Sequence, residues 1–134
     1  MITPEQMAKS GSEHSEQSAL FLWAHNSLNE YPELKWMFAI PNGFYGVQQK
    51  NKMKIEGLRN GVPDICLPIR RDIWPALWIE LKQLKHKPVR VGSKGGMSDE
   101  QIEWQKHLRS QGHGAIVCYG WLEARDVILR YLNG

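Results

Sequence analysis

Apolar residues recur along this chain with two periods, and the switches between them divide it into elements. Leu20, Trp23, Ala24 and Leu28 fall on one stripe of a helical wheel, which predicts a helix from about Ser12 to Asn29. Ser10 and Glu13 have capping-box spacing at its start, and Tyr31-Pro32 ends it. Lys35–Ile40 (KWMFAI) reads as a strand closed by a turn at Pro41-Asn42-Gly43. Residues 45–57 are polar, basic and partly helical in pattern, ending at Gly57. DICLPI, from Asp64, and LWIELK, residues 77–82, carry apolar residues on both faces, as central strands of a covered sheet do. Arg70–Pro75 is a turn between them. Residues 83–97 form a basic loop with Gly92, Gly95 and Gly96. A helix follows from Ser98 to about Gln111, with Ile102, Leu108 and either Trp104 or Gln105 inward; Gly112–Gly114 breaks it. AIVCY, residues 115–119, is a further strand and Leu122–Leu132 a closing helix. This order predicts an α/β layered domain with a mixed sheet, residues 12–134, behind a loose polar leader, 1–11.

Composition narrows the class. A chain of 134 residues supports one hydrophobic core, and 42% apolar content excludes wholesale disorder. No apolar run approaches the roughly 20 residues of a membrane helix, and the polar N-terminus has no apolar core of a signal peptide. These features predict a cytoplasmic setting with no membrane partner. Cys66 and Cys118 lie in apolar strands without zinc spacing and read as buried free thiols. The five histidines also lack metal spacing; His86 and His107 read as surface residues, and the six tryptophans mostly as core, with Trp74 in a turn.

Net charge is only +3, but its distribution is uneven. Lys50, Lys52, Lys54 and Arg59 stand in one stretch with a single acid, and Lys82, Lys85, Lys87, Arg90 and Lys94 in another with none. Two basic segments around one site predict a polyanionic partner.

Charges inside the strands carry the chemistry. Asp64 opens an apolar strand after Gly61-Val62-Pro63; Glu80 and Lys82, two apart, point to the same face of LWIELK. A buried carboxylate is costly unless it is paired or binds metal. Asp64, Glu80 and Lys82 therefore form either a structural ion network or a hard-cation site for Mg²⁺ or Mn²⁺. In the second case the lysine faces the reaction centre, either as base or as a group that orients water and offsets phosphate charge.

The motifs around this set resemble the VRR-NUC (virus-type replication-repair nuclease) domain of the PD-(D/E)xK superfamily. SEHSEQSALFLWA resembles the family's opening helix with its E-x-x-x-Q pattern, FAIPNG its first strand and turn, and EGLRNGVPDICLP its G-x-x-x-G-x-PD segment. LWIELK resembles the (D/E)xK strand, and MSDEQIEWQKHLRSQGHGAIVCYG the S-x-x-Q helix and last strand. The resemblance implies a restriction-endonuclease-like αβββαβ core, a mixed four-stranded sheet flanked by helices. It implies Asp64, Glu80 and the Leu81 backbone carbonyl as metal ligands, Lys82 as the catalytic lysine, and Gln101 near the site. It also implies a metal-reaching glutamate on the opening helix. Glu13 fits E-x-x-x-Q with Gln17 and lies at the centre of the apolar stripe; Glu16, at its edge, is the alternative. The implied activity is metal-dependent hydrolysis of DNA, selective for branched or junction DNA in the manner of a Holliday-junction resolvase. A homodimer, a DNA-repair role and a phage or prophage origin follow from the family's small stand-alone members. The alternatives are a DNA-binding module without catalysis and a monomeric nicking or flap nuclease.

Overall fold

The computed structural model describes residues 1–41 and 47–134; the turn read at Asn42-Gly43 lies outside them. The elements run α1 (Pro4–Met7), α2 (Glu13–Asn26), β1 (Phe38–Ala39), α3 (Val47–Ile55), β2 (Ile65–Leu67), β3 (Leu77–Lys82), α4 (Asp99–Ser110), β4 (Gly114–Tyr119) and α5 (Trp121–Asn133). Short 3₁₀ turns at Pro32–Trp36 and Leu84–His86 complete them. The sheet order is β1-β2-β3-β4, with β1–β2 and β2–β3 antiparallel and β3–β4 parallel. This is the expected mixed sheet with helices on it.

Alternation along β3 sorts its residues between two environments. Leu77, Ile79 and Leu81 join Ile65, Leu67 and Cys118 in a core closed by Leu20 and Ala24 of α2 and by Trp121, Ala124, Ile128 and Leu132 of α5. Trp78, Glu80 and Lys82 face the other way. The parallel register Ile79↔Ile116 and Glu80↔Val117 carries this division into β4, against which α4 packs.

Several boundaries move for physical reasons. The leader is not loose: Thr3 and Gln6 make a reciprocal capping box around Pro4 at the first helical position, and Met7 and Ala8 pack on the core. Helix α2 is capped by Ser12, whose Oγ accepts the Ser15 N–H at 3.1 Å, rather than by Ser10 with Glu13. The strand expected from Lys35 shrinks to Phe38–Ala39 because Pro32 opens a 3₁₀ turn that takes up Lys35 and Trp36. Of the six tryptophans, only Trp121 is buried; Trp36 and Trp74 are exposed. Cys66 and Cys118 are buried and free, and burial pushes their thiols up to about 11 and about 12.

Candidate metal centre

Three carboxylates converge at the end of the sheet. Asp64 precedes β2, Glu80 lies inside β3, and Glu13 starts α2. One oxygen from each lies within 4.8 Å of the other two. Glu80 is 1% exposed and Asp64 is buried, whereas Glu13 is open to solvent. Asp64 Oδ2 accepts the Leu81 N–H at 2.8 Å, which fixes the aspartate against β3. The N–H and C=O of one strand residue point to the same side, so the Leu81 carbonyl also faces the Asp64 side.

Gln101, in the first turn of α4, serves two neighbours. Its Oε1 accepts the Ser98 N–H at 2.8 Å and its N–H donates to Ser98 Oγ at 3.1 Å, a full capping box. That box aims the other end of the amide at Glu80, and Nε2 donates to Glu80 Oε2 at 3.3 Å. The helix can come this close because of Gly61, whose φ is +88°. A Cβ there would sit 2.6–2.8 Å from the Glu100 carbonyl and the Gln101 nitrogen. The chain entering Asp64 thus lies directly on the turn that carries Gln101. Neither Gly61 nor Ser98 stands out as a site residue in the sequence; the signal available was the glycine three residues before Asp64.

Lys82 is 7% exposed, and its Nζ lies 3.8 Å from Glu80 Oε2, an ion pair rather than a close hydrogen bond. Glu80 Oε1 is buried without a hydrogen-bond partner among the described residues. Burial holds the Glu80 carboxyl well above the usual carboxylate range; the neighbouring Asp64 adds to this and the Lys82 ammonium opposes it. Two crowded carboxyl groups, one of them buried with an orphaned oxygen, are unfavourable on their own. They are the donor set a hard divalent cation takes, all oxygen and partly anionic, so the residues fit Mg²⁺ or Mn²⁺.

The opening-helix glutamates have distinct positions. Glu13 faces the acids. Glu16 is 4% exposed and its Oε2 accepts the Trp121 N–H at 2.7 Å, filling the cap that Gly120 lacks a side chain to supply at the start of α5. The wheel placed Glu13 centrally and Glu16 at the edge, whereas burial runs the other way. The first turn of α2 opens beside the acids, and Glu16 is covered by α5.

A model of the VRR-NUC domain matches residues 8–121. The chain belongs to the VRR-NUC family. Among solved structures, a "VRR_NUC domain protein" superposes with a TM-score of 0.68 at 23% identity, over 90% of this chain and 87% of that one. No curated protein matches it. VRR-NUC is a nuclease family.

The basic segments differ in their pairing. Lys50, Lys52, Lys54 and Arg59, on and after α3, are exposed with no acid partner among the described residues, as are Lys85 and Arg90. Lys87 pairs with Glu123 at 2.9 Å and Lys94 with Asp99 at 2.6 Å, so two of the expected phosphate contacts are already partly satisfied. No helix of the described residues is long and apolar enough to cross a membrane.

Proposed function

We propose that this protein is a divalent-metal-dependent deoxyribonuclease, with residues 12–134 as its single catalytic domain, that cuts branched DNA. The observation that carries the reading is the convergence of Glu13, Asp64 and Glu80 within 4.8 Å beside a buried lysine. Asp64, Glu80, Glu13 and the Leu81 carbonyl would hold Mg²⁺ or Mn²⁺. When bound, the ion supplies a lowered pKa for water and charge neutralisation at the phosphate.

The chain's own groups do the rest. Gln101 holds Glu80 Oε2 and leaves Oε1 to bind. The Leu81 N–H prevents Asp64 from rotating away. Lys82, almost fully excluded from solvent, keeps a cation next to the scissile phosphate, where it orients the attacking water and offsets charge on the phosphoryl oxygens. Lys50, Lys52, Lys54, Arg59, Lys85 and Arg90 take the DNA backbone, with smaller shares from Lys87 and Lys94.

Paired cuts across a junction need two active sites, and a two-fold homodimer supplies them. Trp74 and Tyr131 support one shared surface for it. Their rings lie 6.3 Å apart, beside exposed Ile73 and the outer edge of β4, around a concavity of about 340 Å³. Ile128, on the same helix as Tyr131, is fully buried and belongs to the core. Cleavage of labelled four-way, flap and linear DNA with Mg²⁺ or Mn²⁺, beside an Asp64→Ala control, tests the activity. Paired symmetric cuts are expected, and metal-independent cutting by the control overturns the assignment. A 15.5 kDa monomer in sedimentation at micromolar concentration overturns the dimer.

A further inference from the structure

The loop that follows β3 is held firmly at both ends and left bare at its tip. At one end Lys87 pairs with Glu123 of α5. At the other, the Tyr119 hydroxyl donates to the Gly95 carbonyl at 3.0 Å in a buried bond, Met97 is buried, and Lys94 pairs with Asp99 at the start of α4. Gly95, at φ +58°, accepts no side chain, since a Cβ would run into Tyr119 Oη and Pro88. Between these anchors stands Val89-Arg90-Val91. Val89 is 95% and Val91 108% exposed, the highest values among the large hydrophobics of the described residues apart from the terminal Met1. Arg90 between them is exposed without an acid partner there.

Single exposed apolar residues are ordinary. Two β-branched ones, each restricted at χ1, flanking an unpaired arginine on a loop whose anchors include α4 next to Gln101 form an apolar-cationic tip. Resting on the nuclease reading, the geometry points to this tip as a wedge that enters DNA where base pairing is interrupted. The valines meet exposed base faces and Arg90 meets the adjoining phosphate. Apolar side chains inserted at a base step in this way unstack it and bend the duplex, and a branch point has already paid for the unstacking. Charge complementarity selects the partner: Arg90, exposed between the two valines, has no acid partner among the described residues, while the acids at the loop's anchors, Glu123 and Asp99, are each paired with a lysine; this suits a phosphate backbone, and two valines are too small an apolar area for stable membrane anchoring.

The test uses the full chain and a Val89→Ser/Val91→Ser double variant, exposed enough to leave folding intact, which a thermal melt checks. The probes are a four-way junction carrying 2-aminopurine at the branch and a continuous duplex of the same composition. With the wild type, the junction's fluorescence should rise on binding. With the double variant that rise should vanish, and the preference for junction over duplex cleavage should fall about tenfold, as expected when two partly buried valines are lost. The salt slope of duplex binding should not change, because serine and valine neutralise the same number of phosphates, none. An undiminished rise and unchanged preference overturn the wedge while leaving the nuclease reading intact. Binding of the wild type, but not the variant, to anionic phospholipid vesicles in place of the junction overturns it in favour of a membrane tip. Absence of any metal-dependent cleavage by the wild type overturns the nuclease reading, and the wedge with it.

Discussion

The two faces of strand β3 are built from neighbouring residues and organised by opposite rules. Leu77, Ile79 and Leu81 are buried among aliphatic side chains from two helices and two other strands. Glu80 and Lys82, one residue away in each direction from Leu81, are buried as deeply but in company that leaves a carboxylate oxygen without a partner. One face stabilises the fold. The other brings two carboxyl groups and a buried lysine together. The core face pins the strand, and the pinned strand keeps Glu80 and Lys82 beside Asp64.

Removing the charged face should have the largest effect. Asp64→Ala, Glu80→Ala and Lys82→Ala should each lower cleavage on the order of 10⁴-fold, and the triple variant should be no worse, since groups acting as a unit are not additive. DNA binding measured with each variant should survive. Wild-type cleavage by Lys82→Ala would separate the lysine from the acids.

Breaking the core face acts on stability instead. Ile79→Ala should cost about 2–5 kcal/mol in denaturant unfolding, with the m-value kept. At temperatures where the variant stays folded, its cleavage should remain near that of the wild type. A loss as large as that of Asp64→Ala under those conditions would mean the two faces are not separable.

Gly61→Ala probes the contact that supports the charged face. The added Cβ meets the backbone of Glu100 and Gln101 at a positive φ, a strain of about 1–3 kcal/mol. Because the turn it displaces carries the amide that holds Glu80, cleavage should fall at full occupancy of folded protein. Unfolding that costs stability without loss of rate would make Gly61 a packing residue only.

Glu80→Gln sharpens the comparison in the opposite direction. It replaces a carboxyl crowded by Asp64 with a neutral amide, so the metal-free protein should gain about 1 kcal/mol. The rise in melting temperature on adding Mg²⁺ should disappear, as linkage requires when the preferred ligand is removed. A metal-dependent rise as large as in the wild type would place the ion elsewhere. The smallest effect distinguishes the cations: Lys85→Ala/Arg90→Ala should flatten the log–log salt slope of duplex binding by about 1.8. Lys87→Ala/Lys94→Ala should change it less, because Glu123 and Asp99 already hold those two ammonium groups.

Legibility in the sequence followed the range of the interactions. LWIELK was readable to its ends because burial on both faces leaves a run of apolar residues in which two charges stand out. The capping box at Ser98 and Gln101 spans four residues and is visible as a helix start; the resemblance puts Gln101 near the site, but its bond to Glu80 across the fold has no local signal. The helix at Pro4–Met7 could have been found from Thr3, Pro4 and Gln6, a cap with its own local signature. Glu16 could not. A wheel ranks it by its own helix, and its partner is a backbone N–H that exists only where β4 turns into α5. The same holds for Lys87, whose acid lies 36 residues away.

The hydrogen bond from Trp121 to Glu16 closes a span of 105 residues. During synthesis at roughly 5–20 residues per second, a chain that has exposed α2 waits about 5–20 s before the ribosome delivers the start of α5. Through that interval Glu16 has no helix terminus to receive it, and β3 lacks its parallel neighbour β4. Glu13 stands beside Asp64 and Glu80 only once α2 is anchored, so the three-carboxylate cluster is completed late in synthesis.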